Sequence, residues 1–386
     1  MLKYKLGPLW ALLNGFVALG AVGSVLMARQ PEFVARWGLD NAEWGWVLFA
    51  GGLGGVLAYP VNRWVLARWG SRVMLARFGL AGGVVLASIP WLPGLPGLLV
   101  GLFAQGMIYN GVGVAINHQA AEWELRQSTR MMGRLHATFY VGNVLSAFLS
   151  SILAALGVGL ALHMAAVGLA VAAIHRFVAA NLEPAPAEHA QAAPPPHVPL
   201  ELYLGTGLLF GSSIVLEHGM MGWSSAYLSQ ELKAGPGVAG LGLAFFSGAM
   251  ALGRMFSDGF VTRHGPRNVV RRGAIVSAIA LTLAAMLGSV PVAMLAFGAV
   301  GLGLAAAAPV VFSAVGRIGG EALAFVSGIG ALGGLLGPLL LGRVASFVSL
   351  NGVLVTLAAV SVLIAWQARV LGAQAERPMP LSTVRP

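Results

Sequence analysis

The chain of 386 residues is 58% hydrophobic and only 9% charged, with 54 glycines, which excludes an ordinary soluble domain, where about a quarter of residues carry charge. A net charge of +10 raises nucleic acid as a partner. However, only Lys3, Lys5 and Lys233 are lysines, and the arginines stand in short clusters between apolar runs instead of along one face interleaved with aromatics, which excludes it. Cysteine is absent, so disulfides, Cys-ligated zinc, iron–sulfur clusters and thiol nucleophiles are excluded together; no metal and no cofactor is expected.

Apolar runs of roughly 20 residues, enough to span a hydrocarbon core, recur along almost the whole chain. With turn clusters and charges as punctuation, helices are expected at 8–28, 43–63, 73–92, 96–117, 136–157, 160–179, 202–224, 237–257, 272–289, 291–314, 322–343 and 350–370. The first follows a basic start (Lys3, Lys5) but exceeds a secretory h-region, so it reads as an uncleaved helix. The stretch 181–199, which includes EPAPAEHAQAAPPPHVP, is Pro- and Ala-rich without apolar periodicity and reads as a cytoplasmic linker. The expected architecture is an all-α polytopic membrane protein of twelve transmembrane helices. It comprises two pseudo-symmetric six-helix bundles, residues 1–180 and 200–386, the second ending in a short cytoplasmic tail.

Lysine and arginine resist translocation. With both termini inside, all 23 of them except Arg29, Arg36, Lys233 and Arg343 fall on the cytoplasmic side. A bacterial-type inner membrane with cytoplasmic termini and linker is the resulting expectation. After the second helix of the first half stands Arg68-Trp69-Gly70-Ser71-Arg72, and after the second helix of the other half Arg263-His264-Gly265-Pro266-Arg267. Both read R-x-G-x-R: glycine allows the tight turn, while the arginines fix topology. A parallel repeat of six-helix halves places a solute site near the bilayer midplane at their interface.

These turns resemble the loop signature G-x-x-x-D-x-x-x-R-x-G-x-R of the major facilitator superfamily (MFS). The second half supplies Gly253, Asp258, Arg263, Gly265 and Arg267 in order, with Arg254 adjoining; in the first half Arg63 stands where Asp258 stands. The resemblance implies a carrier in which the acid helps lock the halves. A narrower resemblance, to the fucose-permease-like branch, rests on Val114 to Asn117, Gly133 to His136, Glu217 to Trp223, and Gly301 to Arg317. It implies proton-coupled uptake of a sugar, although Gly222 replaces the usual acid before Trp223.

Candidate chemistry follows helical spacing. Helix four aligns Gly106, Asn110, Gly113 and Asn117, two amides beside two glycines that permit close backbone approach; Gln105 and Tyr109 lie on adjoining faces, and Asn14 is a further candidate on helix one. On helix five His136, Tyr140 and Asn143 share a face that suits either a polar ligand or interhelical hydrogen bonding. Helix seven carries Ser213, Glu217, Met220 and Ser224 as one stripe, with Trp223 as a ring-stacking platform or a membrane-interface anchor. A carboxylate inside an apolar run costs about 2.5 to 3.5 kcal/mol, so Glu217 faces a cavity or carries a proton, and is the proton-coupling candidate. His218 points about 100° away. Pro309 on helix ten is expected to free a carbonyl near Ser313 and Arg317, the latter grouped with Asn117 and His136 as gating residues. The run Gly328 to Pro338 reads as close packing with a hinge.

The resulting expectation is a secondary transporter, working as a monomer in the lipid bilayer, that moves a small-molecule solute by alternating access, with protons as coupling partner. Export of lipophilic or cationic compounds and uniport are the alternatives. An enzyme is not expected: no G-x-x-x-x-G-K-[ST], H-E-x-x-H or G-x-S-x-G occurs.

Overall fold

A computed structural model describes residues 6–129, 131–183, 200–316 and 320–375. Most of the linker and Arg317 therefore lie outside the described residues. The helices are α1 (Leu6–Ala28), α2 (Gln30–Trp37), α3 (Asn41–Leu57), α4 (Tyr59–Ser88), α5 (Gly94–Gln127), α6 (Met132–Ala155), α7 (Leu160–Asn181), α8 (Leu200–Ala226), α9 (Pro236–Ala239), α10 (Leu241–His264), α11 (Pro266–Leu287), α12 (Val290–Leu304), α13 (Ala307–Gly316), α14 (Gly320–Phe347), α15 (Leu350–Gln367) and α16 (Val370–Ala375). Ten helical stretches among the described residues are long and apolar enough to cross a membrane. Two further passes, α3 running on into the start of α4, and α8, complete the twelve.

Local chemistry sets several boundaries. Asp40 and Glu43 close a reciprocal capping box at the start of α3, and Gly38 in the left-handed region ends α2. Gly70 turns the chain inside α4 with φ 73° and ψ 158°, and Gly265 does the same between α10 and α11 with φ 80° and ψ 149°. This conformation is essentially reserved for glycine, so the two R-x-G-x-R segments share one backbone device.

The halves repeat each other's packing. In the first, α1 lies on α6, α3 on α5 and α4 on α7; in the second, α8 lies on α14, α10 on α12 and α11 on α15. Close glycine contacts hold these pairs. A Cβ at Gly106 would fall on the Gly51 carbonyl, one at Gly83 on that of Gly168, and one at Gly301 on that of Phe246. Gly113, expected to pack in the same way, has open space instead.

Each half is also clasped by polar side chains at the end away from the R-x-G-x-R turns. Arg29, which is fully buried, donates through Nη2 to Glu32 Oε2 at 2.5 Å and the Val158 carbonyl at 2.7 Å, and lies 3.2 Å from His163 Nδ1. This joins α1 to the start of α7. In the second half, Tyr227 lies 3.0 Å from Asn351 Oδ1, and Asn351 donates to Glu231 at 2.9 Å, joining α8 to α15. Arg29 is one of the four cations that break the charge asymmetry, and its pairing with Glu32 explains why it does so at little cost.

Several boundaries differ from the sequence expectation. The fourth spanning helix, α5, runs ten residues past 117, to Gln127. The tenth breaks at Ala305–Ala306 rather than at Pro309, which sits in the first turn of α13, where a missing N–H is harmless.

Candidate functional site

The two halves meet closely at the end away from the R-x-G-x-R turns. There the backbone of Gly45 on α3 faces Pro338 and Gly342 on α14, and the Ala42 amide donates to Ser346 Oγ at 2.8 Å. Gly237 and Gly240 meet Ala155 and Ser151 of α6 in the same way. Below this seal lies a cavity of about 910 Å³. It extends from Met27 and Gly222 past Gln105 and Asn110 to Arg63, Glu122 and Leu125 at the basic end, where Leu125 is 75% exposed. The cavity is therefore open at the basic end and closed at the other.

Its wall is largely the first half, from α1, α3, α4 and α5, with His218, Met221 and Gly222 of α8 and Gly334 and Pro338 of α14 opposite. Four of the expected solute contacts or gating groups line it: Gln105, Tyr109, Asn110 and Asn117. Tyr109 donates to the Leu19 carbonyl at 2.5 Å, which fixes its ring against α1. Asn110 accepts from Asn62 Nδ2 at 2.9 Å, leaving its own amide nitrogen available. Asn117 lies 3.0 Å from His136 Nε2 while donating to the Gly113 carbonyl, so the amide and imidazole brace one another. Gln105 is buried and its carbonyl oxygen has no partner among the described residues. Leu19, Val22, Phe139 and Met221 make the wall apolar between these groups, His218 stands opposite, and Arg63, His118 and Glu122 line it toward the basic end.

Three other candidates converge outside this wall. Tyr140 of α6 donates its hydroxyl to Glu217 Oε1 of α8; Arg254 Nη2 of α10 lies 3.5 Å from Glu217 Oε2, and its guanidinium covers the Tyr140 ring at 4.5 Å. All three are largely buried, so a carboxylate, a phenol and a cation bridge the two halves. Adjacent residues of α8 thus have separate surroundings: Glu217 faces the cluster and His218 faces the cavity, as their angular separation anticipated. His136 lies within electrostatic reach of both Glu217 and Arg254.

Other expected contacts are placed elsewhere. Asn14 folds back onto the Trp10 carbonyl at 2.8 Å and Ser213 onto that of Leu209 at 2.8 Å, each satisfied by its own helix. Asn143 is fully buried beside α1, away from the cavity lining. Trp223 is buried among Tyr227, Phe297 and Leu354, within the second half, so it is neither a platform in this cavity nor an interfacial anchor. Ser313 is exposed and does not line the cavity, because the helix break precedes it by seven residues.

At the basic end Arg72 donates to the Ala179 carbonyl at 2.7 Å, fastening the Gly70 turn to α7. Arg68, Asp258 and Arg263 are exposed, Asp258 forms no ion pair among the described residues, and Arg267 lies against Gly372 of α16. Sequence reasoning missed Asn62, His118 and Glu122. Asn62 stands next to Arg63 at the first-half loop motif. His118 and Glu122 lay past the expected end of helix four, where three charged residues within five positions resemble a loop.

The sequence profile of the Major Facilitator Superfamily matches residues 11–226. An uncharacterized MFS-type transporter of Yersinia pestis is 30% identical over 83% of this chain and 84% of its own. The membrane protein MosC of Rhizobium meliloti is 25% identical over 92% of this chain and 86% of its own. Among solved structures, the nucleoside transporter NupG superposes with a TM-score of 0.73 at 15% identity, covering 95% of this chain and 99% of that one. A bacterial homolog of the human lysosomal transporter Spinster superposes with a TM-score of 0.70 at 13% identity, covering 97% of each.

Proposed function

Because the chain belongs to the major facilitator superfamily, we propose that it takes up a small, neutral, polar solute across a bacterial inner membrane by alternating access, with Glu217 coupling uptake to protons. The moving bodies are residues 1–180 and 200–386, joined by the cytoplasmic linker 181–199. The basic end is the cytoplasmic one, so the cavity stands open to the cytosol. Gln105, Tyr109, Asn110, Asn117 and His218 present hydrogen-bonding groups among apolar side chains, with the charged Arg63 and Glu122 at the open end, which suits a sugar-like compound with one hydroxylated and one apolar face. That solute class agrees with the fucose-permease-like segments.

The observation that carries the coupling is the Tyr140–Glu217–Arg254 cluster across the interface of the halves. As a carboxylate, Glu217 attracts Arg254 and holds the halves together at that level; once protonated it loses most of that attraction, and the interface is free to open. The same pairing argues against export of cations, since the acid's charge is already answered by Arg254 and Glu217 does not line the cavity.

A thermal-shift screen of purified protein against sugars, organic acids and lipophilic cations at two pH values identifies the solute. In vesicles, an inward proton gradient then drives its accumulation; Glu217→Gln is expected to abolish accumulation and spare solute exchange. Unchanged accumulation removes Glu217 from coupling. Stabilisation by lipophilic cations alone replaces uptake with export.

A further inference from the structure

A second cavity, of about 440 Å³, lies on the outer wall of the second half between α10, α11 and α12. Its floor is made of small residues, Gly253, Gly273 and Gly303, with Ala305 and Ala306 at the break between α12 and α13. Along one side Leu252, Phe256 and Phe260 follow one another at every fourth position, all exposed, from the middle of α10 toward the basic end. His264 continues that line, its ring stacked on Phe260. Leu252 to His264 spans 12 residues, about 18 Å of helix.

Arg272 lines the basic end of this groove from α11. It is exposed and forms no ion pair among the described residues. An unpaired guanidinium within the first two turns of a spanning helix draws an anion or water. The groove therefore has a cationic head near the membrane surface and an apolar slot running from it toward the bilayer centre.

We propose that this groove is a binding site for one anionic phospholipid of the leaflet at the basic end. The phosphate sits against Arg272, with His264 beside it, and one acyl chain lies along Phe260, Phe256 and Leu252 over the glycine floor. The planar guanidinium matches a phosphate bidentately, and the neighbouring Arg271, Arg263 and Arg267 raise the local concentration of anionic lipid without entering the groove.

The test is native mass spectrometry of the full chain released from detergent with phosphatidylglycerol or phosphatidylcholine of identical acyl chains. Phosphatidylglycerol is expected to remain bound at one per chain, and phosphatidylcholine at least tenfold less. Arg272→Gln should abolish that preference, Arg272→Lys should keep part of it, and Arg271→Gln, with the same charge change outside the groove, should leave it intact. Inorganic phosphate in excess should not displace the lipid. Equal retention of both lipids, equal loss in Arg271→Gln and Arg272→Gln, displacement by phosphate, or displacement by a lipophilic cation would each overturn the proposal. The lipid comparison on the parent chain decides the matter even where a variant does not fold.

Discussion

The Glu217–Arg254 pair can be separated from its surroundings by a double-mutant cycle. At 3.5 Å and an effective dielectric of about 20, two unit charges attract by about 5 kcal/mol. Both groups are largely buried, so much of this offsets the cost of taking them out of water, and a coupling energy of about 2 to 3 kcal/mol is the expected remainder. Glu217→Gln keeps an acceptor for Tyr140 but leaves Arg254 buried with no counter-charge. Arg254→Gln leaves Glu217 with the Tyr140 hydrogen bond alone. Each single variant should therefore lose about 3 kcal/mol against denaturant in mixed micelles. The double variant, with no orphaned charge, should lose about 3 to 4 kcal/mol, well short of the roughly 6 that independent losses would give. If the two losses simply add, the pair does not interact and the cluster is only a packing arrangement.

Two further outcomes follow from backbone geometry and from the absence of cysteine. Gly70→Ala and Gly265→Ala each force a side chain into a conformation reserved for glycine; both should cost about 1 to 3 kcal/mol in the same unfolding measurement, and a neutral effect at either turn would contradict its backbone angles. Ala42→Cys with Ser346→Cys places the first two thiols of the protein across the closed end, where the Ala42 amide now meets Ser346 Oγ at 2.8 Å. Oxidation should then stop transport and reduction restore it. Full transport in the crosslinked protein would mean that this end does not open during the cycle.

Much of the fold was legible because lipid imposes a length and a polarity on each pass, and because the glycines at 70 and 265 mark the same turn twice. What escaped was set by contacts that the chain makes with itself at a distance. The extension of α5 to Gln127 carries Glu122, Glu124 and Arg126 on helix: Glu122 lies 3.6 Å from Arg126 one turn on, Glu124 accepts from the Met131 and Met132 amides just past the helix, and Arg126 reaches Glu183 on the far side of α6 and α7 at 2.6 Å. No local pattern signals that last pairing. The site was half legible for a related reason. Spacing placed Tyr109, Asn110 and Asn117 near a shared face of α5, which the cavity follows, but Asn14 and Ser213 found acceptors within their own helices, which spacing cannot distinguish from a ligand contact. Arg254, which adjoins the loop signature, also lies 3.5 Å from Glu217 as its counter-charge, a relation between α8 and α10 that only packing creates.

The placement of Glu217 and His218 on adjoining faces of α8 bears on how solute and charge communicate. One face looks into the cavity and the other into the cluster that joins the halves, and Met221 and Gly222, a turn further on, also line the cavity. A solute held between α5 and α8 therefore acts on the same rigid element that presents the carboxylate to Tyr140 and Arg254. Any rotation or tilt of α8 that improves contact with the solute changes the distance from Glu217 to Arg254. Because linkage is reciprocal, a change in that ion pair alters solute affinity by the same factor by which solute alters the pair. The solute need not touch the acid. This separates the proposed arrangement from one in which the acid itself is a ligand: there, replacing Glu217 should remove binding, whereas under the proposed coupling it should leave binding and remove its dependence on protons.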